Sequence, residues 1–391
     1  MAGFSTNGLP TTSSALTGAE LIEANTQLTA GLTPQTEAIS VNQIAAFTRG
    51  ASGAGVTYRN VLDGGDFTTN PFQRGTSLTG ITNTSTYLAD RWFNIGSSGS
   101  SISVSRQPVT VVTGFSQALE FGRGNTNADV NPIKMGQVLE TNRSVGLQGQ
   151  TVILSFYAAP GGGFSAANGQ LNALIYTGTG TNDTAANMVA AAWAGQTTAN
   201  AVTSVNLVTG WVRYYVVGVI PVTATQIGVL FSYTPVGTAT TDFIQLSGIQ
   251  LEAVNAVATQ ATAATYASAF EKRSPDIELN NCQRTFYQIT EAASSSAVFA
   301  NGMISATNVQ TIVIPLPVTM YKAPTVTVTA GTLKFNIAGT ATAVGAGFAA
   351  GTCTPTEATV VGAVTATAGQ ATQLQAGNST GGGIVAISAD F

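Results

Sequence analysis

Carboxylates and arginines are the residues of this chain that could support chemistry, because it has 18 acidic residues, 14 basic residues and no histidine. The lack of histidine removes the commonest general base, the usual metal ligand and the familiar serine and cysteine triads. A glycosidase needs two carboxylates on either side of a sugar, about 5–10 Å apart. Asp276 and Glu278 could face one way on a strand, but this spacing alone does not specify such a pair. We therefore predict no catalytic residue and no enzymatic activity.

Metal and cofactor sites are not predicted either. Asp63 and Asp66 could contribute to a Ca²⁺ site, but Ca²⁺ takes about six or more oxygen ligands, and one aspartate pair falls short of that. Cys282 and Cys353 lack zinc-site spacing and are too few for a disulfide framework. We expect both cysteines to be buried and to act as small hydrophobic residues. A disulfide between them is the alternative. Residues 178–181, Gly-Thr-Gly-Thr, lack the lysine of a phosphate-binding loop and predict a turn.

Glycan recognition is the binding chemistry that the aromatic residues could supply, together with nearby amides and carboxylates. Trp193 lies in an alanine-rich stretch that explains it poorly as a core residue, and it is our preferred stacking platform. Asp90, Arg91 and Trp92 have two interpretations: a ligand surface, or an aspartate–arginine pair at a strand edge with Trp92 in the core. We favour the second in a chain so poor in charge. The remaining aromatic candidates are Trp211, which we expect in the core, Tyr214 and Tyr233.

Composition indicates a β-rich protein that does not bind nucleic acid. Charged residues make up 8% of the chain, against about 25% in an ordinary soluble domain. Hydrophobic residues make up 44%, which is enough for a sizeable core. Polar positions are filled by Thr, Ser and Asn, which suit exposed strands better than helices. The net charge of −4 and the absence of a basic stripe predict no binding to phosphate backbones.

Targeting signals are not found in the sequence. No run approaches 18 consecutive apolar residues, so we predict no membrane insertion. The first ten residues lack the basic and apolar stretches of a signal peptide. We therefore expect assembly in the cytoplasm, and release by a route such as lysis if the protein acts outside the cell.

Three segments position these residues. Residues 1–55 contain too few large apolar residues for a core of their own, and they end in the Gly/Ala/Ser-rich linker 50–55. We predict a helical turn at 17–22 and a second short helix at 40–47, in an arm that docks into a partner.

The second and third segments are predicted to be β domains. Residues 56–275 contain short β runs separated by Gly, Pro or Asn, which indicates a β-sandwich or jelly roll; the clearest runs are 101–105, 151–157, 211–217, 227–233 and 243–251. A weak helical pattern covers 187–194. Residues 276–391 begin with a predicted helix or turn at 277–284 and continue as a small β domain, with runs at 297–299, 310–316, 325–328 and 383–387.

Several stretches, in order, resemble the carbohydrate-binding-module-like jelly rolls of tailed-bacteriophage tail and fibre proteins. They are Asp-Phe-Thr-Thr-Asn-Pro-Phe-Gln-Arg-Gly-Thr-Ser at 66–77, Tyr-Leu-Ala-Asp-Arg-Trp at 87–92, Gly-Trp-Val-Arg-Tyr at 210–214, Leu-Ser-Gly-Ile-Gln-Leu-Glu at 246–252, Ala-Phe-Glu-Lys-Arg-Ser at 269–274, Glu-Leu-Asn-Asn-Cys-Gln-Arg-Thr-Phe-Tyr at 278–287 and Pro-Val-Thr-Met-Tyr-Lys-Ala-Pro-Thr at 317–325. Phe72 stands where the family has a tryptophan. The stretch 255–268 looks like an insertion relative to the family.

The resemblance implies a structural protein on the virion surface, for which we expect a homotrimer. The absence of a heptad or repeat shaft favours a compact head fibre, decoration protein or spike. Its arm, residues 1–55, would contact capsid or tail proteins through Leu21, Ile22, Ile44 and Phe47. The alternative is a tail-fibre or receptor-binding adhesin that recognises a host surface glycan, with Trp193, Trp92, Asp90 and Arg91 as candidate residues.

Overall fold

Antiparallel β-sheets dominate the computed structural model, as the predicted β-sandwich or jelly-roll class requires. The structure describes the strands Leu21–Thr26 and Gln35–Ser40, and residues 59–391 except 99–100, 125–129, 238, 255–257, 292–297, 308, 329–332, 338–339, 344–347, 364–365 and 377–382. The chain divides into two compact units, Met1–Tyr58 and Arg59–Phe391. Within the described part, no helix is both long enough and apolar enough to cross a membrane.

The first unit contains a β-hairpin. Strands β1 (Leu21–Thr26) and β2 (Gln35–Ser40) pair antiparallel, with Leu21 opposite Ser40. The helical turn predicted at 17–22 is therefore wrong for Leu21 and Ile22, whose backbone lies in a strand with a partner strand beside it. Ser40 is the last residue of β2, and the rest of the second predicted helix, with Ile44 and Phe47, lies outside the described residues.

The body of the second unit is a sandwich of two antiparallel sheets. Its strands are β3 (Ser77–Ile81), β4 (Thr86–Tyr87), β5 (Phe93–Ile95), β6 (Ile102–Pro108), β7 (Gln117–Arg123), β8 (Ile133–Val138), β9 (Thr151–Pro160), β10 (Gln170–Gly178), β11 (Thr197–Thr198), β12 (Ser204–Asn206), β13 (Val212–Val219), β14 (Gln226–Tyr233) and β15 (Phe243–Val254). Sheet 1 has the order β13-β9-β15-β7-β6-β3, and sheet 2 the order β11-β10-β14-β8-β5-β4 with β12 also paired to β10.

Alternating side chains build the core between these two sheets. In β9, Val152, Leu154 and Phe156 are fully buried in the shared core. In β10, Leu171 and Ala173 point to the same core, because successive strand residues face opposite sides. The β runs predicted within residues 101–251 are confirmed as strands.

The C-terminal strands form two further sheets around a second core. They are β16 (Phe286–Glu291), β17 (Val298–Ala306), β18 (Val309–Pro315), β19 (Thr325–Val328), β20 (Leu333–Ile337), β21 (Thr340–Ala343), β22 (Phe348–Ala350), β23 (Glu357–Ala363), β24 (Ala371–Ala376) and β25 (Gly383–Ser388). The sheet orders are β16-β25-β19 and β21-β20-β24-β17-β18-β23-β22. Ile304, Ile312 and Val360 are among the fully buried residues of this core.

Short helices connect the strands. They are α1 (Thr141–Ser144), α2 (Ala185–Val189), α3 (Ala263–Tyr266) and α4 (Pro275–Gln283), with 3-10 turns at Val145–Leu147, Ala167–Gly169 and Gln260–Thr262. The helix predicted at 277–284 is α4, which starts with a proline and has two acidic residues in its first turn, as a helix N-terminus favours. The weak pattern at 187–194 is helical only to Val189, the end of α2.

The insertion-like stretch covers the edge of sheet 1. The Gln260 side chain accepts a hydrogen bond from the Val217 N–H at 3.0 Å and donates to the Tyr215 carbonyl at 2.7 Å, which are edge groups of β13. Ala258 and Ala263 pack on Ile153 below it. An edge strand with unpaired backbone groups invites pairing with another chain, and this contact blocks that stretch of β13.

A third core joins the sandwich to the C-terminal strands. Phe93 and Val138, on the outer face of sheet 2, pack with Trp193, and Phe391 lies in the same cluster with Tyr321 beside it. The rings of Tyr321 and Phe391 stack at 4.4 Å between centroids. The strands after α4 are therefore part of the same compact unit as the sandwich.

Candidate functional site

Asp63 is the centre of a buried ionic cluster that includes Arg91 and Arg273 from the resembling stretches. Its carboxylate, 1% exposed, contacts three arginines: Arg91 Nε at 3.3 Å, Arg273 Nη1 at 3.2 Å, and Arg143. Asn281 Nδ2 also donates to Asp63 Oδ1 at 3.1 Å. Burial alone would raise the pKa of Asp63, but the three guanidinium groups outweigh it and lower that pKa to about 2. Both carboxylate oxygens are thus occupied by cationic or amide donors, an arrangement that does not suit a Ca²⁺ ligand.

The backbone of Asp63 is held as firmly as its side chain. Gln137 accepts from the Asp63 N–H and donates to the Asp63 carbonyl, both at 2.8 Å. The Trp92 indole N–H donates to the same carbonyl at 3.0 Å, and the Trp92 side chain is fully buried. Trp92 therefore fills the core, which is the structural interpretation favoured from the sequence, and it presents no ring face to a sugar.

Asp90 and Arg91 do not pair with each other, contrary to the sequence prediction. Asp90 contacts Arg74 Nη1 at 3.2 Å, while Arg91 contacts Asp63. Neighbouring residues on an extended or turning backbone point to different sides, so each finds a distant partner. Arg74 also contacts Asp390 and lies over the Phe286 ring at 3.4 Å. Through its contacts with Asp90 and Asp390, Arg74 connects the start of the sandwich to the last strand's C-terminal end.

Two more ion pairs extend the cluster into α4. Arg273 Nη1 contacts Glu278 Oε1 at 3.2 Å, and Glu278 Oε2 accepts from the Gly64 N–H at 2.8 Å. Arg284 Nη2 contacts Glu140 at 2.7 Å. We call this set the ionic lock; its members are Asp63, Arg74, Asp90, Arg91, Glu140, Arg143, Arg273, Glu278, Arg284 and Asp390. The ionic lock holds together segments that are up to 316 residues apart in sequence.

Trp193, the preferred glycan platform from the sequence, is a core residue. It is 3% exposed, and its indole N–H donates to the Thr184 carbonyl at 3.0 Å. The segment that follows α2 folds Trp193 back onto sheet 2, next to Gly178 and Gly228, where an added Cβ would come within 3.2 and 3.1 Å of the ring. Its placement does not fit a stacking platform, because no ring face is open to solvent.

We predict that Trp193→Phe lowers the free energy of unfolding by about 1–2 kcal/mol, because it removes one buried hydrogen bond and part of the ring volume. Urea unfolding measures this loss. Binding to any saccharide should be unchanged in the folded variant, and a loss of binding without a loss of stability would contradict the core assignment.

The other aromatic candidates separate into core and surface. Tyr214 stacks on Phe156 in the sandwich, and the Tyr233 hydroxyl donates to the Asp242 carbonyl from a buried position. Trp211, which the sequence placed in the core, is only half-buried and is not among the residues of the described sandwich core, so that prediction is wrong. It immediately precedes the Val212–Ala158 pair, so its backbone lies beside Ala159 at the β13 side of sheet 1.

A partly exposed surface on sheet 1 brings a carboxylate, an amide and aromatic rings together. It consists of two neighbouring rows of outward-facing residues on β6, β7, β15 and β9, and we call it the open face. The first row is Ser103, Gly122 and Phe243, and the second is Ser105, Glu120, Gln245 and Ala159. The flanking residues Leu119, Phe121, Ile244 and Leu246 are buried in the core, which places these seven on the outside.

Aromatic side chains bound the open face at both ends. Phe243 packs against Gly122 and Gly161, where an added Cβ would come within 2.6 and 3.0 Å of it. At the other end Tyr157 lies opposite Ser247, with Phe115 5.3 Å away between ring centroids. Phe243 and Ser247 are four residues apart on β15, which corresponds to about 13 Å along the strand.

Glu120 and Gln245 form the polar centre of this face. Gln245 Nε2 donates to Glu120 Oε2 at 2.8 Å. Burial raises the pKa of Glu120, and the hydrogen bond from Gln245 opposes this shift. Sequence reasoning did not select either residue; their alternation with core residues in Leu-Glu-Phe and Ile-Gln-Leu predicts only that each faces outward on its own strand.

The cysteines are both free. Cys282 is fully buried in α4, as expected, whereas Cys353 is only partly buried. Burial raises the pKa of the Cys282 thiol well above its usual value.

Comparisons with known proteins identify no family. No family model matches the chain, and no curated protein matches it. Similar solved structures include the enzymatically active domain of tailspike protein 4 of bacteriophage CBA120, with 11% identity and a TM-score of 0.31 over 50% of this chain and 22% of that one. A CBM4 structure has 17% identity and a TM-score of 0.26 over 42% of this chain and 87% of its own. The C-terminal family 22 carbohydrate-binding module of Clostridium thermocellum Xyn10B has 19% identity and a TM-score of 0.28, over 43% and 89%. This chain thus spans about a fifth of the tailspike domain.

Proposed function

We propose that this chain is a non-catalytic structural protein of a tailed-bacteriophage particle, a projecting head fibre, decoration protein or spike. The observation that carries the proposal is the ionic lock. Six of its ten residues come from four of the stretches that resemble phage tail and fibre modules: Arg74 from the first, Asp90 and Arg91 from the second, Arg273 from the fifth, and Glu278 and Arg284 from the sixth. These motif residues serve the fold, as expected of a building block.

The distribution of charge supports a permanent assembly. Six of the ten residues of the lock are buried, so part of the limited charge of this chain lies inside the fold. The remaining surface is rich in Thr, Ser and Gly, and subunit interfaces that stay assembled are less charged than transient ones. In this proposal residues 1–55 attach a homotrimer to capsid or tail proteins, and Arg59–Phe391 is displayed on the virion surface.

Antibody labelling of intact particles tests the display. Antibodies raised against the full chain are applied to gradient-purified particles of the phage that encodes it, and bound antibody is imaged by gold labelling. We expect label on the outside of intact particles. Label that appears only after the particles are broken open, or in the host lysate alone, would contradict the proposal.

The second candidate function is recognition of a host surface glycan, and the open face is the observation that favours it. A carboxylate and an amide between aromatic side chains on a partly exposed sheet is the kind of surface that holds a sugar by hydrogen bonds and stacking. This candidate is compatible with the first, because a virion projection can also bind the host.

Binding of the full chain to immobilised bacterial surface polysaccharide tests the glycan function. We expect Gln245→Ala to weaken saturable binding by about tenfold or more, since a hydrogen bond to a charged group and its ligand contacts are lost together. Gln288→Ala, a half-buried glutamine on β16 away from the open face, is the matched control and should bind like the wild type. Equal binding by both variants would place the site elsewhere.

A further inference from the structure

The open face presents hydrogen-bond acceptors that the chain itself does not fill. The Gln245 amide uses one N–H on Glu120 Oε2. Neither Glu120 Oε1 nor Gln245 Oε1 has a hydrogen-bond partner within the described part of the chain. Two acceptor oxygens on adjacent strands, one of them anionic, are matched by a ligand group that donates, such as a pair of sugar hydroxyls.

The charge of the open face also favours a ligand group that donates hydrogen bonds. Among the seven residues of the open face, Glu120 is the one with a formal charge. The Arg213 guanidinium lies 5.8 Å from the Tyr157 ring centroid and donates to Ser155 Oγ and to the Ser268 carbonyl, while Lys272 donates to the Gly114 carbonyl, so neither cation forms a hydrogen bond with Glu120. A sulfate, phosphate or carboxylate group brings acceptors only, together with a second negative charge. Burial already raises the pKa of Glu120, so this carboxylate is partly desolvated and a nearby anion is costly.

We propose that the open face selects uncharged, hydroxyl-rich saccharides and rejects anionic ones, with Glu120 as the residue that sets this preference. The inference rests on the glycan-binding function proposed above. Glu120 Oε1 and Gln245 Oε1 accept from two neighbouring hydroxyls, and Phe243 or Tyr157 contacts the apolar side of the sugar ring. Glu120 acts on binding directly, through a hydrogen bond to neutral sugars and through repulsion of anionic ones.

Matched pairs of polymers test the preference. The full chain is titrated with dextran, mannan and β-1,3-glucan, and with the O-sulfated form of each, at one ionic strength. We expect at least one neutral polymer to bind, and its sulfated form to bind at least about tenfold more weakly. Glu120→Gln should reduce this difference to less than about threefold. Glu357→Gln, an exposed glutamate on β23, is the control and should leave it unchanged.

The outcomes distinguish the failure of this charge preference from the failure of the glycan-binding function on which it rests. If a sulfated polymer binds the wild-type chain as tightly as its neutral form, the charge preference is wrong and glycan binding still stands. If Glu120→Gln leaves the preference at its wild-type size, Glu120 does not set it. If none of the polymers binds saturably, the glycan function fails, and the preference fails with it.

Discussion

Replacing Asp63 by asparagine is expected to lower the free energy of unfolding by about 3–5 kcal/mol, because it leaves three arginines beside a neutral group in a buried site. Arg91 and Arg273 are 1% and 4% exposed at their side chains, so water cannot replace the lost charge for them. Arg143, at 27%, can turn toward solvent and loses less. Chemical unfolding of the full chain, followed by tryptophan fluorescence, measures the effect.

Asp276→Asn is the matched control, because Asp276 is an exposed aspartate in the first turn of α4. It should cost no more than about 1 kcal/mol, through the helix dipole. A loss in Asp63→Asn no larger than in this control would mean that the lock does not stabilise the fold.

The stability difference between the wild type and Asp63→Asn should depend on pH. The pKa of Asp63 is lowered to about 2, from an ordinary value near 3.8. A lowered carboxyl pKa contributes stability that is fully present above the unfolded value and is lost as the pH falls through the folded one. The difference should therefore shrink by about 2 kcal/mol between pH 4 and pH 2. A difference that stays constant over this range would show that the Asp63 charge is not its cause.

Replacing Phe391 by alanine is expected to lower the free energy of unfolding by about 3–5 kcal/mol, the usual cost of emptying a buried aromatic site. Phe391 is 9% exposed, stacks on Tyr321 and lies under the Arg91 guanidinium, 5.3 Å from the ring centroid. The Tyr87 hydroxyl also donates to its carbonyl at 2.8 Å. The side chain thus joins the sandwich to the C-terminal strands.

The loss in Phe391→Ala should affect both parts of the second unit together. We expect one cooperative transition for the sandwich and the C-terminal strands, shifted to lower denaturant in the variant. Tyr266→Ala, an aromatic residue 38% exposed at the end of α3, is the control and should cost less than about 1 kcal/mol. Two separate transitions in the wild type would show that the contacts through Phe391 do not couple the two parts.

The strands could be predicted from the sequence because their signal is local. The run Val-Ile-Leu-Ser-Phe-Tyr of β9 and the run Ile-Gln-Leu of β15 carry their own pattern of apolar residues and turn signals. The signal for α4 was equally local, although the prediction at 277–284 missed its first two residues, Pro275 and Asp276. The hairpin in the first unit was missed, because Leu21 and Ile22 also fit the start of a helix and only their pairing with β2 decides between the two.

The ionic lock and the open face could not be predicted, because both depend on pairs that are distant in sequence. Asp63 finds Arg273 210 residues away, and no local rule selects that partner over the adjacent residues. Asp90 and Arg91 were predicted to pair because they are adjacent in the sequence. Trp193 was taken for a surface residue because its neighbours are small, whereas small neighbours are what lets a large ring pack against Gly178 and Gly228. Glu120 and Gln245 become hydrogen-bonded neighbours only through the register of β7 with β15.

Negative-stain imaging of phage particles that lack this chain tests most directly the claim that it is a virion projection. We predict that the particles assemble and lose a set of projections from the head or the tail, and that supplying the full chain restores them. Supplying Asp63→Asn at a temperature where it is unfolded should fail to restore them. Particles that keep every projection when the chain is absent would contradict the account.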